Sequence, residues 1–407
     1  MKLIYFVQYF PPEKASGLQL VEDLLEGFTK QGWEVDLFTP TPTRGITAEQ
    51  RNEYLKRKTE KKYDGKLTIH RMHLYREGKG FISRAIRYLI FSIECFWKAV
   101  TVPADYIFTG SGPPTQGVVV GLAKRIARKK KVIYNLQDIF PDSLVTSGLC
   151  SEKSVLMKIG HALENFTYRN ADVIITITDA MKANIVKKGV PSEKVKVVQN
   201  WIDIDKVRPI SPEKNKLYDE LKIDRNKFNV VYAGNIGKVQ GVDVITRAAE
   251  QLEEEKDIHF LIFGNGSEEQ VIKEQAEKLT NISIFPLQPI ERVSEVYSLG
   301  NISIIPCRPG TGGSSMPSKT WTIMAAGKAI IGSFDSHGEL DNTLHEAECG
   351  YCVTAGDAEK LACAILELHD NPERTKIMGE NARKYAERNL KKENGVGQYI
   401  RIILNSK

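Results

Sequence analysis

Six cysteines scattered over 407 residues cannot staple a fold, so this chain must hold itself together by burying apolar surface. Cys349 and Cys352 form a C-x-x-C, but no second pair or histidine cluster accompanies them to complete a zinc site. They read as incidental residues flanking Gly350 in a turn, and the cysteine usage fits a cytosolic protein. A long apolar run is also missing. The best stretch, Tyr88 to Trp97, is interrupted by Glu94 and flanked by Arg84, Arg87 and Lys98, whereas a membrane-spanning helix needs about 20 apolar residues. Met1-Lys2 leads straight into a strand-like run with no small-residue cleavage site, so no signal peptide is expected. There is no G-x-G-x-x-G dinucleotide fingerprint and no D-x-D-like acidic pair at a strand end.

What is present fits a cytoplasmic protein of two domains. A hydrophobic content of 42% over this length supplies two cores. The net charge of +6 is unevenly placed. Residues 1–200 carry 31 Lys and Arg against 20 Asp and Glu, an excess of +11; residues 201–407 carry 26 against 31, or −5. The asymmetry points to an acidic partner for the first half. Its basic clusters run from Arg51 to Arg87 and through Lys124, Arg125, Arg128, Lys129, Lys130 and Lys131. Nucleic acid, an anionic membrane surface and a plain solvated face are all open readings of these clusters, although no nucleic-acid recognition module or stacking platform accompanies them. The segment Phe81 to Phe91 mixes aromatics with arginine at helical spacing. It reads either as an interfacial helix or as a helix packed on the first sheet.

Both halves alternate short β-rich runs with helical segments. The runs in the first half are Leu3–Phe10, Glu34–Thr39, Leu67–Leu74, Asp105–Thr109, Lys131–Leu136, Val173–Ile177 and Val195–Val198. Those in the second are Asn229–Ala233, His259–Phe263, Ile282–Phe285, Ile302–Pro306 and Ala329–Ile331. Continuous apolar strands separated by helices predict α/β architecture with parallel sheets covered on both faces. Two Rossmann-like domains follow, residues 1–202 and 203–385, with the linker in the polar, proline-bearing stretch Asp203–Lys216. Residues 386–407 are expected to form a C-terminal helix returning toward the first domain. Ligands of such sheets bind beyond the carboxyl ends of the strands, so chemistry is to be sought there.

The first run ends in Tyr9-Phe10-Pro11-Pro12 and a loop with Ser16-Gly17, where a helix entrance offers backbone N–H groups to a phosphate. The fourth ends in Thr109-Gly110-Ser111-Gly112-Pro113-Pro114, a tight strand-to-helix turn. The fifth ends in Asn135-Leu136-Gln137-Asp138-Ile139-Phe140-Pro141-Asp142; helix capping accounts for one aspartate but hardly for both. In the second half, Gly234-Asn235-Ile236-Gly237-Lys238-Val239-Gln240-Gly241 is a credible anion cradle. Gly264-Asn265-Gly266-Ser267 follows the next strand. The richest segment is Cys307 to Thr320, with flexible glycines, serines, Pro317 and Lys319 before a helix. It fails as a phosphate-binding P-loop, because Ser318 replaces the second glycine and Pro317 removes a backbone donor.

Taken together, these segments resemble bacterial glycosyltransferase family four, retaining enzymes of GT-B fold: two Rossmann-like domains with a cleft between them. The matching pieces are Tyr9-Phe10-Pro11-Pro12-Glu13 with Gly17, Gln137 to Asp142, Asn170-Ala171-Asp172-Val173-Ile174, Gln199-Asn200-Trp201-Ile202-Asp203, Gly234 to Gly241, and Pro317-Ser318-Lys319 followed by Met324-Ala325-Ala326-Gly327-Lys328. The similarity is greatest to capsule and O-antigen sugar transferases, including the N-acetyl-L-fucosaminyl transferase subgroup. There are departures. The family's usual Arg and Lys in the glycine loop are Asn235 and Gln240 here, and its two glutamates fall at Ser314 and Thr322.

The resemblance implies transfer of an N-acetylated or deoxy amino sugar from a UDP-sugar to a polyprenyl-diphosphate-linked saccharide, with no metal and no other cofactor. Positive charge grows on the sugar and negative charge on the departing diphosphate, so donors must converge on the latter. Lys319 and Asp138 are the implied catalytic residues. Gly17, Gly234, Asn235, Gly237, Lys238, Gln240, Gly264, Gly266, Pro317, Ser318 and Thr320 are implied for the donor, and Gln137 and Asp142 for the acceptor. Peripheral attachment to the inner face of the cell membrane is expected. A nucleotide-sugar epimerase of the same fold and a degenerate, non-catalytic member are the alternatives.

Overall fold

The computed structural model describes residues 1–407 except Ser16, Lys79, residues 147–150, Glu152, Ser314, Ser315, His337 and Lys407, and, for their side chains, Phe81, Leu144 and Thr146. The expected glutamate position at Ser314 therefore lies outside the described residues. The chain divides into two units, Met1–Asn200 with Glu393–Lys407, and Trp201–Lys392.

The strands of the first unit are β1 (Lys2–Phe6), β2 (Glu34–Pro40), β3 (Thr59–Lys62), β4 (Leu67–Met72), β5 (Tyr106–Gly110), β6 (Lys131–Leu136), β7 (Val173–Thr176) and β8 (Val195–Val197). Its helices are α1 (Leu18–Lys30), α2 (Ala48–Lys56), α3 (Phe81–Thr101), α4 (Thr115–Ile126), α5 (Asp142–Thr146), α6 (Val155–Asn170) and α7 (Asp179–Lys187). The sheet runs β3-β4-β2-β1-β5-β6-β7-β8, and every pairing is parallel except β3 with β4. Residues such as Leu3, Ile4, Ile107, Phe108 and Ile133 are fully buried, because helices cover both faces of a parallel sheet. β3, with the sequence Thr-Glu-Lys-Lys, escapes the hydrophobic pattern because it is a charged edge strand.

The second unit contains β9 (Phe228–Asn235), β10 (Ile258–Asn265), β11 (Ile282–Phe285), β12 (Ile302–Pro306), β13 (Ala329–Phe334) and β14 (Gly350–Thr354), in the order β11-β10-β9-β12-β13-β14, all parallel. Its helices are α8 (Leu217–Glu220), α9 (Asp243–Gln251), α10 (Glu269–Ala276), α11 (Val293–Ser298), α12 (Lys319–Ala325), α13 (Glu339–Glu346), α14 (Ala358–His369) and α15 (Pro372–Asn389). Apolar layers lie on both faces of this sheet. The C-x-x-C is no turn: Cys349 is buried at the entrance to β14 and Cys352 lies within that strand. Both thiols are free, and burial raises both above the usual cysteine range.

Two boundaries differ from expectation. The stretch 203–216 is no loose linker, since Arg383 of α15 donates to the carbonyls of Val207 at 2.9 Å and Ile204 at 3.1 Å. The expected helix 386–407 is two helices: α15 ends at Asn389 in the second unit, and α16 (Lys392–Asn405) belongs to the first. α16 is anchored there by Tyr399, whose hydroxyl donates to Asn135 Oδ1 at 2.9 Å, and by Val396 packed at Gly27 of α1.

Candidate active site

In the second unit the carboxyl ends of β9, β10 and β12 converge. Three loops leave them, and backbone hydrogen bonds stitch those loops together. Ile236 N–H donates to Asn265 O at 2.8 Å, Glu268 N–H to Ile236 O at 2.9 Å, and Arg308 N–H to Val239 O at 2.9 Å. Glycine is required at the contacts. A Cβ on Gly264 would stand 2.2 Å from Gly234 O, and one on Gly241, which sits at φ 58°, would meet the Cys307–Arg308 peptide at 3.0 Å. Asp335 fixes the third loop by accepting from Gly310 N–H at 2.9 Å and Gly312 N–H at 2.7 Å.

Lys319 reaches into this cluster. Its ammonium lies 4.0 Å above the ring of Tyr232 and 2.8 Å from where a Cβ on Gly234 would stand. No carboxylate meets it among the described residues, and burial pulls its pKa down to about 7. An amine so placed is a cation short of its anion. Lys238 is exposed on the neighbouring turn. Asn235 Nδ2 donates to Gln240 Oε1 at 3.0 Å, so the two departures from the family pattern are partners in space. Pro317 is half-buried and Ser318 is exposed beside Lys319.

The structure thus gathers Gly234, Asn235, Gly237, Lys238, Gln240, Gly264, Gly266 and Lys319 in one place. Thr320 is a correction. It is fully buried and its N–H is taken by Pro317 O at 2.9 Å, which leaves the hydroxyl, without a hydrogen-bond partner among the described residues, as its one free donor. Sequence reasoning missed a pocket of about 240 Å³ beside Gly234, lined by Phe263, Leu287, Pro289, Ile290, Val293 and Tyr297. The Leu-Gln-Pro-Ile run after β11 was its only signal. Arg308, 4.0 Å from Glu268, is a further exposed cation on the third loop.

In the first unit, the loops after β1, β5 and β6 hold the other candidates. Asp138 is exposed beyond β6. Gln137 is tied down: its Nε2 donates to Asn135 Oδ1 at 3.0 Å and its Oε1 accepts from Asn200 Nδ2 at 2.9 Å. Asp142 is also engaged, accepting from Lys188 Nζ at 2.8 Å and from Asn184 Nδ2 at 3.3 Å. Lys188 lies 2.8 Å from buried Glu164 as well, so this lysine is the cation that the Asp142, His161 and Glu164 group surrounds. The expected acceptor role of Asp142 competes with that ion pair. Gly17 opens α1 at φ 76°, with nothing within 4 Å of a built Cβ. Glu13 of the Pro-Pro-Glu motif is a loop staple, accepting from the N–H groups of Thr43 at 2.7 Å and Arg44 at 3.1 Å. Arg44, stacked 4.0 Å from the ring of Tyr9 and paired with Glu77, was not foreseen.

Two family models match the chain: glycosyltransferase family 4 over residues 19–206 and glycosyl transferases group 1 over residues 213–385. WcaI of Escherichia coli (strain K12), named for glycosyl transfer in colanic acid biosynthesis, is 26% identical over 98% of this chain and 99% of its own length. CapM of Staphylococcus aureus, a capsular polysaccharide biosynthesis glycosyltransferase, is 21% identical over 68% of this chain and 71% of its own. HepE of Anabaena, solved with UDP, superposes over 100% of both chains with a TM-score of 0.72 at 16% identity; it was also solved with UDP-glucose. Two Rossmann-like units, matched in turn by two glycosyltransferase models, make this protein a glycosyltransferase of the GT-B fold.

Proposed function

We propose that the enzyme moves an N-acetylated or deoxy amino sugar from a UDP-sugar to a polyprenyl-diphosphate-linked saccharide, with retention, in the assembly of a surface polysaccharide. The observation that carries this reading is Lys319, a partly buried ammonium with no carboxylate partner among the described residues, poised over Gly234. The names of WcaI and CapM support the polysaccharide context, and the UDP-bound state of HepE supports the donor. The uracil enters the apolar pocket between Phe263 and Tyr297. Lys319, Lys238, Ser318 and the N–H of Gly237 meet the diphosphate, so the lysines rather than a metal take up the developing charge. The bond from the anomeric carbon to the β-phosphate oxygen breaks as the acceptor hydroxyl bonds to the same face of that carbon. The hydroxyl proton passes to the departing phosphate, so no carboxylate nucleophile is needed. Asp138, from the first unit, orients the acceptor or stabilises the sugar cation.

Attachment to the inner face of the membrane is part of the same proposal, and the helices of the first unit support it. Ile82, Ile86, Leu89, Ile93 and Trp97 make an exposed stripe along α3, while Phe91, Cys95 and Ala99 bury the opposite stripe against the sheet. α4 packs between α3 and α6, and Leu122, Ile126, Val155, Leu156 and Ile159 are exposed on those two helices. Arg84, Arg125, Arg128, Lys129 and Lys158 are exposed among them, as an anionic surface would require. Arg87 and Lys130 are not part of this charge. Arg87 is buried and donates to backbone carbonyls of Thr41 and Tyr75, and Lys130 caps the end of α3 at Ala99 O and Val102 O. The test of the whole reading is mass spectrometry of products from a panel of UDP-sugars with a polyprenyl-diphosphate-sugar acceptor. Lipid heavier by one sugar residue is expected; UDP released with no change in the lipid would overturn the reading.

A further inference from the structure

The donor loops occupy the carboxyl edge of the second sheet. At its amino edge, where β9, β12 and β13 begin, lies a larger cavity of about 540 Å³. Its size falls in the range of small-molecule sites, about 300–1,000 Å³. α15 forms one side. It approaches the turn before β13 so closely that a Cβ on Gly379 would stand 2.5 Å from Gly327 O, and Gly327 itself sits at φ 67°. That glycine contact sets the floor of the cavity.

The lining is strongly cationic. Arg225, Lys328, Lys376, Arg383 and Lys384 face a single carboxylate, Glu380. Two of the five are already employed. Arg225 makes a two-pronged pair with Asp219, 2.8 Å at each contact, and Arg383 holds Glu387 and three backbone carbonyls. Lys384 stands 4.0 Å from Glu380. Lys328 and Lys376 have no hydrogen-bond or ion-pair partner among the described residues. Lys328 is partly buried, and burial brings its ammonium down to about 8. A cation held in a cavity without a counterion has lost solvation that an anion would restore. Tyr218 and Phe228 also line the cavity, with the Arg225 guanidinium 4.9 Å from the Tyr218 ring. Lys376, Glu380 and Lys384 follow one another at four-residue spacing, so one face of α15 delivers both lysines to the mouth.

We propose that this cavity is a second ligand site, separate from the donor loops, that binds a small phosphate ester through Lys328, Lys376 and Lys384. The phosphate dianion accepts from the lysines, and the organic part of the ester lies against Tyr218 and Phe228. The inference does not depend on which sugar the enzyme transfers, nor on the donor site being where it is proposed above.

The test is isothermal titration of the full chain with inorganic phosphate in the presence of saturating UDP, repeated with the Lys319→Met variant without UDP. Both arms keep the donor loops from reporting. Saturable binding is expected in each arm. It should weaken at least about tenfold in Lys328→Met, as loss of a charged hydrogen-bond partner does. The exposed double variant Lys376→Glu/Lys384→Glu, whose changes lie on the helix surface and leave the core intact, should abolish it while leaving UDP affinity within about twofold. No saturable binding in either arm, or binding unchanged in the Lys376→Glu/Lys384→Glu protein, would overturn the proposal. Phosphate binding as expected, with UDP affinity unchanged in Lys319→Met, would instead fault the donor-site reading alone.

Discussion

The proposed function concentrates the charge chemistry of the second unit at one atom, Lys319 Nζ. A single transition-state donor removed from an electrostatic site costs roughly two to three orders of magnitude in turnover, and Lys319→Met is expected to show that loss in a steady-state assay. A rate within a few-fold of the unaltered enzyme would remove Lys319 from the site. Its depressed pKa gives a second outcome. The folded protein releases this proton near pH 7, whereas an unfolded chain keeps it to the ordinary value of 10.5. Stability should therefore rise with pH through that window, since the unfolded state binds more protons there. If UDP binds through the ammonium as proposed, its affinity should move the other way. It should fall by up to about tenfold for each pH unit above 7. Calorimetry of UDP binding from pH 6 to 9 checks this, and Lys319→Arg, which stays charged, should flatten the profile. Lys319 was legible in the sequence because Pro317-Ser318-Lys319 stands before a helix. Its contact with Tyr232 was not, because the two residues are 87 positions apart and meet only through the β9 and β12 pairing. Gln137 shows the limit from the other side: a polar residue within a motif can spend its side chain on neighbours.

At the scale of elements, the alternation of apolar runs and helices revealed most of both sheets, because strands buried on two faces write themselves as continuous hydrophobic segments. The edges were harder to read. β3 is charged and antiparallel, and β14 begins inside a C-x-x-C that reads as a turn in the sequence. α3 packs Phe91 and Cys95 inward, as the packed-helix reading has it, and turns Ile86, Leu89 and Ile93 outward. If that outward face meets a membrane, the protein should co-sediment with vesicles containing anionic lipid, lose binding as salt rises, and bind neutral vesicles weakly. The triple variant Arg84→Glu/Arg125→Glu/Lys129→Glu should weaken binding without lowering thermal stability, because all three side chains are exposed. Equal sedimentation with neutral and anionic vesicles would count against an electrostatic surface. So would a triple variant that binds as well as the unaltered protein.

For the whole molecule, the proposed roles fall on different units. The proposed donor groups lie within Trp201–Lys392, while Asp138 belongs to the unit formed by Met1–Asn200 and α16. Asp138→Ala should therefore damage transfer while leaving UDP affinity within about twofold, a split between turnover and binding that marks a group acting after the donor is seated. A large loss of UDP affinity in calorimetry would move Asp138 into the donor pocket. The start of α16 was not legible, since Leu390 and Lys391 separate two helices that the sequence pattern ran together. The most direct measurement is a crystal structure of the protein with UDP bound. The account predicts diphosphate oxygens at about 3 Å from Lys319 Nζ, with the uracil between Phe263 and Tyr297. A diphosphate seated away from Lys319 and the Gly234–Gly241 loop would contradict it.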